Sequence, residues 1–570
     1  MTPGAGRDGR SEFARDGGVV PERVTRVVCH AVADVPFLVV ALVEAAQGWR
    51  PTSDYAIITI RSWGVLTSRS PLLGEFTQAT SCAGHAAFSP GPLQYWMLAL
   101  PVRMDAAHGV LWGAALWCAV GMAVCVEGAW AVRGAWGALP VAAFAIVLAA
   151  TRPAVLVNPM WNPYFGVVWF AATCTVAWAV GRGRLRWWPV LVLSASIAAQ
   201  SHLEYAVPAA ALAILAPLPG IHGRAGARRR AGARREVGTR RCWGWVPAGL
   251  AAGAACWAVP LVQQLTGHPG NVSVLLRCVG AHRVIGGRFG LEALASSVVP
   301  PPLWFHLPPV SAHGLLDSLR AHSAGVGMAV LAVLLTVAVL AWRVRSKDLA
   351  VLAGVALLAA GTTVWEISRQ PASATTELAY LDVVLWPVGM LVWGVVLLIV
   401  AELAPRGIRV PRRRVVLGGD EAPEERSRGA RLFARWHPRA VLLLAVSAAV
   451  LAGGTANAAI LASGATNQAA EEVGGPGTFR GVTEAAADAQ RLVPRGPLVV
   501  AVSARDWISS YALLYGTVWA LVGQGRQATP PRSFMAPIDP PLVGVSGEPS
   551  VTLTVRADGS VAGATLTRHR

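Results

Sequence analysis

Charge is scarce in this chain. Asp, Glu, Lys and Arg make up 14% of its 570 residues, against roughly a quarter in an ordinary globular protein. Lysine is nearly absent, Lys347 being the only one. So little charge excludes a disordered chain, which needs the opposite balance, and it excludes an ordinary cytosolic enzyme. There is no Gly-X-Y period and no sustained heptad, so collagen and coiled coil are excluded. No repeat of solenoid type is visible. The eight cysteines lack CxxC spacing, which argues against a zinc site or a dithiol redox motif. They are also too few for a secreted disulfide scaffold.

What the chain has instead is apolar length. Hydrophobic residues make up 54% and the mean hydropathy is +0.49. A bilayer-spanning helix needs about 20 mostly apolar residues. Eleven segments meet or approach that length, near 27–47, 107–131, 136–152, 164–181, 187–201, 204–219, 243–262, 323–342, 349–367, 379–403 and 440–464. The pair around 187–219 is short and tightly joined. Residues 1–26 are polar and basic and lead into a long apolar stretch; a cleaved signal peptide would have a shorter core and a small-residue cleavage site, so the first helix reads as uncleaved.

The net charge of +18 is an arginine excess, and its placement gives it meaning. With the N-terminus in the cytoplasm, 30 of the 49 Lys and Arg fall in cytoplasmic segments, 10 in outer segments between helices and 9 after residue 465. That asymmetry predicts N-in, C-out in a plasma membrane. The runs Arg228-Arg229-Arg230 and Arg412-Arg413-Arg414 then anchor topology near anionic lipid, and no nucleic-acid partner is expected. The arginine bias, with abundant Ala, Gly, Val and Pro, points to a high-GC bacterial genome.

The expected organisation is a basic tail (1–26), a helical membrane domain (27–465) with outer loops at 49–106 and 263–322, and an extracytoplasmic α/β domain (466–570). In the last part, Leu498 to Val502 reads as a buried strand and Trp507 to Val522 as a helix stopped at Gly523. Val551 to Val555 alternates before an Asp558-Gly559 turn. Cys82 and Cys278 fall in outer loops, an oxidising location where a disulfide can form. Asp34 and Glu44 lie inside the first helix. Glu44 is near its outer end, and Asp34 near its inner end, where it is expected to snorkel or to pair with a cytoplasmic arginine.

The first outer loop carries the most information. It reads Trp49-Arg50-Pro51-Thr52-Ser53-Asp54-Tyr55-Ala56, then an amphipathic piece to Thr67, then Ser70 to Phe76 with Gly74-Glu75. A small-residue stretch leads to Ser89-Pro90-Gly91-Pro92-Leu93-Gln94-Tyr95-Trp96. The apolar piece from Leu93 to Val102 is too short to span and reads as an interfacial helix with Tyr95 and Trp96 in the aromatic belt. Further outer motifs are Asn158-Pro159-Met160-Trp161-Asn162-Pro163, Gln200-Ser201-His202-Leu203, and Gln263 to Asn271.

An acid just after the first span, interfacial helices, and a Pro-Gly-Pro-Leu-x-x-Tyr segment entering the next span resemble the GT-C superfamily. These are polytopic glycosyltransferases that use polyprenyl-phosphate-linked sugars. They include aminoarabinose transferases, protein O-mannosyltransferases and actinobacterial arabinosyl- and mannosyltransferases. The resemblance implies a fold of about 11 transmembrane helices with a small α/β domain, and transfer of a sugar to a glycan or lipid of the cell envelope. It also implies Asp54 as general base, because the attacking hydroxyl must lose its proton as the bond forms. Many members carry a paired acid here, and this chain has one. Glu75 is the nearest second carboxylate. A lone carboxylate is a poor Mg²⁺ or Mn²⁺ site, so a divalent cation is not supported by the motif.

The leaving phosphate needs donors, and arginine offers a bidentate fork. Arg50, Arg61, Arg103 and Arg152, with Arg277, Arg283 and Arg288 of the second outer loop, all stand near the outer surface. Arg61, Arg103, Trp161, Asn162, Gln200, His202, Gln263 and Asn271 are the substrate-binding candidates. The plainer alternatives are a turn or cap role for Asp54 and interhelical hydrogen bonds for Gln200 and His202. For the whole chain, the other class is a non-catalytic membrane protein, either a transporter or a degenerate GT-C-like scaffold.

Overall fold

The apolar runs form helices because no water is present at membrane depth to satisfy a backbone left open. The computed structural model describes residues 22–82, 85–221, 244–278, 283–305, 312–372, 383–403, 476–503, 507–530, 550–555 and 561–567. Among them, eight helices are long and apolar enough to cross a membrane. Six are α1 (Glu22–Ala46), α4 (Gly109–Arg133), α7 (Asn162–Gly181), α10 (Trp245–Thr266), α14 (Ala324–Arg343) and α15 (Lys347–Arg369). The others are the run Leu203–Ile221, which contains α9 (Ala206–Leu215), and α16 (Leu385–Leu403). Shorter apolar helices α5 (Ala135–Thr151) and α8 (Trp188–Ser201) join the bundle, and the short helices α6 (Ala154–Val157), α12 (Gly287–Val298) and α13 (Ala312–Leu319) lie between spans. The chain is a polytopic α-helical membrane protein. Ten of the eleven expected segments have a helix in place, and the segment near 440–464 lies outside the described residues.

The helices differ in how far they are enclosed. In its apolar stretch α7 is 94% buried, whereas α10 and α14 are 17% buried and α1 is 22% buried. Helix α7 is therefore the hub, packed on α4 and α8, and α1, α10 and α14 lie at the rim of the described bundle. Small residues let α7 make these contacts, as is usual between helices in lipid. One of them, Gly166, lies flat against the ring of Tyr205, and an added Cβ there would stand 2.6 Å from the Tyr205 Cδ2.

One end of the bundle is tied by charge. Arg133 Nε lies 2.6 Å from Asp348, and Arg133 also pairs with Glu402. Arg182 pairs with Asp348, and Ser346 Oγ donates to Glu402 at 2.8 Å. The ends of α4, α7 and α16 and the start of α15 thus share one membrane face. These groups are 20–31% exposed, between a surface pair and a buried one. Asp348→Ala is expected to lower stability by about 1–2 kcal/mol, measured by thermal unfolding in detergent. A shift no larger than that of Asp488→Ala, whose Arg491 partner is 77% exposed, would show that the network is only surface decoration.

Asp34 corrects the sequence expectation. Among the described residues it pairs with His30, not with an arginine, at 2.9 Å. His30 bridges on to Glu127 at 2.9 Å, and it is Glu127 that takes Arg26. A helical spacing of four residues places His30 over Asp34 on the same face, ahead of any arginine outside the span.

The loop after the first span folds as two helices around a hairpin. Helix α2 (Ser53–Gly64) and helix α3 (Leu93–Met104) match the amphipathic and interfacial readings. Between them, β1 (Phe76–Cys82) pairs antiparallel with β2 (His85–Phe88), a hairpin that the small-residue stretch of the sequence does not signal. Helix α11 (Asn271–Cys278) packs on this hairpin. Cys278 is disulfide-bonded; the side chain of Cys82, the expected partner, lies outside the described residues.

Near the C-terminus, α17 (Pro476–Leu492) and α18 (Trp507–Val522) pack on a sheet of β3 (Leu498–Ser503), β4 (Ala528–Thr529), β5 (Ser550–Val555) and β6 (Val561–Thr567). The strand order is β4-β3-β5-β6. Strand β3 runs parallel to β4 and β5, and β6 is antiparallel to β5. The Asp558-Gly559 turn lies outside the described residues. Helix α18 packs directly on α2. Trp519 meets Trp63 edge-on at 5.8 Å, and its Nε1 donates to the Ala106 carbonyl at 2.9 Å.

Candidate active site

Asp54 sits in the first turn of α2, immediately after the first span. Thr52 is the N-cap residue of α2 and makes no side-chain cap bond, so the cap role proposed for this stretch does not use Asp54. The carboxylate is instead held from two distant parts of the chain. Trp161 Nε1 donates to Oδ2 at 3.1 Å, and the Tyr511 hydroxyl donates to Oδ1 at 2.9 Å. Burial pushes the Asp54 carboxyl above the ordinary carboxylate range, and the bonds from Tyr511 and Trp161 offset part of that rise. The residue as a whole keeps partial exposure, while its carboxylate is desolvated.

Aromatic rings extend from this point. Trp161 meets Tyr164 edge-on at 4.7 Å, and Tyr164 stacks on Trp386 at 6.1 Å. The Arg152 guanidinium lies 4.9 Å over the Trp386 ring. Arg152 is 4% exposed and donates from Nη2 to the Leu303 carbonyl at 2.8 Å. Arg152 caps the C-terminal end of α5, and its buried guanidinium, set on an aromatic face, is of the kind that can pair with an anion. Of the seven candidate arginines, Arg152 is the buried one.

A second cluster adjoins the first. The Tyr95 hydroxyl donates to Glu75 Oε2 at 2.7 Å. The Arg61 guanidinium lies 5.0 Å over the Tyr95 ring and donates to the Gly74 carbonyl at 3.1 Å. Glu75 acts electrostatically on Tyr511, which brings the two clusters together at one place. Tyr95 therefore corrects the belt reading: it is 2% exposed and faces a carboxylate, not the lipid interface. Trp96 is the half-buried member of that pair.

Other candidates sit in supporting positions. Gln94 donates to the Met160 carbonyl at 2.6 Å, which holds the turn that carries Trp161. Asn162, buried, begins α7 directly after Trp161. Gln200 donates to the Cys256 carbonyl at 2.8 Å and lies under Gly91. An added Cβ at Gly91 would stand 2.7 Å from Gln200 Cδ and 2.6 Å from Pro260 Cγ, so the Pro-Gly-Pro segment needs its glycine for this close approach. His202 occupies the break between α8 and the following span. It lies 3.8 Å from Glu204, and burial pushes its pKa down to about 4, so it is a neutral imidazole at neutral pH.

Three candidates are engaged in tying backbone. Arg103 donates to the Trp63 and Val65 carbonyls at the end of α2. Asn271 uses both ends of its amide on Phe88, accepting from N at 3.0 Å and donating to O at 2.9 Å. Gln263 Oε1 accepts from the Asn271 backbone N–H at 3.0 Å. These bonds dock α10 and α11 on the hairpin and do not meet Asp54. Among the described residues, no group of three or more His, Cys, Asp or Glu side chains is arranged to hold a metal ion.

Tyr511, Tyr164 and Trp386 were missed in the sequence. Tyr511 and Trp386 fall in apolar helices, where an aromatic reads as core, and Tyr164 follows Trp161 by three residues, a helical spacing that placed it on one face with the candidate.

No protein-family model and no curated protein matches the chain. Two crystal structures of ArnT from Cupriavidus metallidurans are similar to it, each over 93% of this chain and 92% of that one. The apo state gives a TM-score of 0.45 at 17% identity. The state bound to undecaprenyl phosphate gives 0.48 at 15% identity.

Proposed function

We propose that this chain is an integral-membrane glycosyltransferase of GT-C type. It moves a sugar from a polyprenyl-phosphate donor to a hydroxyl of an envelope glycan or lipid on the outer side, with the N-terminus in the cytoplasm and the C-terminal α/β domain outside. The observation that carries this reading is Asp54, a desolvated carboxylate held by Trp161 and Tyr511 directly after the first span. The resemblance of the first loop to GT-C loops supports it, and so does the arginine asymmetry along the chain.

In this reading the acceptor oxygen bonds to the anomeric carbon while its proton passes to Asp54. The bond from the anomeric carbon to the lipid phosphate oxygen breaks, and the electron pair leaves with the phosphate. Arg152 supplies a fixed cation for that developing charge, with Arg61 as the second. The rings of Trp161 and Tyr164 offer a flat apolar wall for a pyranose or furanose face. Glu75, tied to Tyr95, is the second carboxylate in reach of this place.

The test is transfer by membrane vesicles carrying the full-length chain in a background deleted for it. The vesicles are supplied with polyprenyl-phosphate sugars extracted from the producing cells. Label appearing in an endogenous glycan or lipid supports the reading. No label from any supplied sugar is the result expected of a scaffold or transporter. A base works only when deprotonated, so the transfer rate falls as pH drops through the Asp54 pKa. Because burial raises that pKa, the fall is expected to begin above the ordinary carboxylate range. A rate that stays level down to the range of an exposed aspartate would argue for a different base.

A further inference from the structure

The two donors on Asp54 are of different kinds. Trp161 stands at the start of α7, the most enclosed helix of the bundle, and its N–H can only donate. Tyr511 comes from 457 residues further along, on the C-terminal helix α18, and it brings a hydroxyl. It is buried, with its ring edge-on to Tyr515 at 5.0 Å. An acceptor alcohol that is to give its proton to Asp54 must bring its oxygen within about 2.6–3.2 Å of a carboxylate oxygen. The Tyr511 oxygen stands 2.9 Å from Oδ1, in the chemistry and at the distance the acceptor needs.

We infer that Tyr511 is a positioning residue whose hydroxyl occupies the acceptor-hydroxyl place in the resting protein, and that a bound acceptor displaces it from Asp54. This rests on the glycosyltransferase reading above. Tyr511 neither gains nor loses a proton. Its hydrogen bond to Oδ1 is replaced by one from the acceptor hydroxyl, whose proton then passes to Asp54 as the new glycosidic bond forms. While no acceptor is present, the phenol holds the base and keeps water from its place, so the donor is not wasted by hydrolysis. Because α18 packs on α2, acceptor binding against the C-terminal unit and release of the base become one event.

Several groups face this pair. Tyr55 is next in the chain and Tyr164 lies beside Tyr55. Glu75 and Tyr515 face Tyr511. The hydrogen bond from Tyr511 favours the charged form of Asp54, so its removal moves the Asp54 titration upward.

The experiment uses full-length wild type and Tyr511→Phe in lipid nanodiscs, with extracted polyprenyl-phosphate sugars as the donor probe and cell-envelope extract as acceptor. Phe keeps the ring against Tyr515, and a melting curve verifies the fold. Two readouts are taken. The ratio of donor hydrolysis to transfer is expected to rise about tenfold in the variant, the factor of one hydrogen bond to an ionised group. The infrared carboxyl band that Asp54→Asn abolishes is expected to titrate about one pH unit higher in Tyr511→Phe. A wild type that transfers, with a variant unchanged in ratio, overturns the exchange whether or not the midpoint moves, and leaves Asp54 as base. A wild type that transfers nothing overturns the glycosyltransferase reading beneath it.

Discussion

Asp54→Asn is expected to lower sugar transfer by about a hundredfold or more, in the range of about 10²–10⁴ for a lost general base, while the protein remains folded. Asparagine keeps a carbonyl oxygen that accepts from either Tyr511 or Trp161, so one of the two ties on this residue survives. In the proposed mechanism the donor phosphate is held by Arg152 and Arg61 and the sugar faces the rings of Trp161 and Tyr164, so the donor KM should stay close to wild type while kcat falls. That split is what a proton acceptor used only in the transition state predicts. The measurement is initial rate against donor concentration in vesicles at matched expression. Activity within a few-fold of wild type would move the base elsewhere, to Glu75 first. Glu75 adjoins the same place through Tyr95 and Tyr511.

The second large effect is structural and reaches the site through packing. Gly166→Val should destabilise the protein by about 3 kcal/mol, at the upper end of ordinary overpacking. The new side chain would enter the ring of Tyr205. That ring is fully buried, lies 5.5 Å from Phe170, and its hydroxyl donates to the Pro163 carbonyl at 2.9 Å. Pro163 lies in the first turn of α7, two residues after Trp161. A displaced Tyr205 therefore pulls on the turn that supplies the Asp54 donor, and transfer should fall with stability. Gly361→Ala is the control. Nothing lies within 4 Å of the added Cβ there, so the change should be neutral or stabilise by about 1 kcal/mol through helix propensity. Thermal unfolding of both variants in one detergent decides it. Equal melting temperatures would mean that the contact of α7 with Tyr205 is looser than its geometry.

The spans were legible because membrane helices announce themselves over some twenty residues each. The helices α2 and α3 were legible for the same local reason, as was the strand at Leu498 to Val502. The hairpin was not, because Thr77 to Ala87 is small and polar without clear alternation, and its register depends on α11 and Asn271 from 183 residues further along. Tyr95 looked interfacial because a short apolar helix next to a span usually lies at the interface. Only the approach of Glu75 turned it inward. Asn271, Gln263 and Arg103 looked like free ligands for substrate because a sequence does not show which amides and guanidinium groups are consumed by nearby backbone.

By itself the sequence determined that this is a multi-helix membrane chain, and it pointed to the loop after the first span as the place of chemistry. Both are local properties, read from composition, apolar length and the position of one acid. The tertiary structure alone decided what surrounds that acid. Trp161 lies 107 residues away and Tyr511 457 residues away, and Arg152 stands out from six other arginines only by its burial. Such pairings depend on how helices pack, and packing is a property of shape complementarity between distant segments. No periodicity within a segment encodes it.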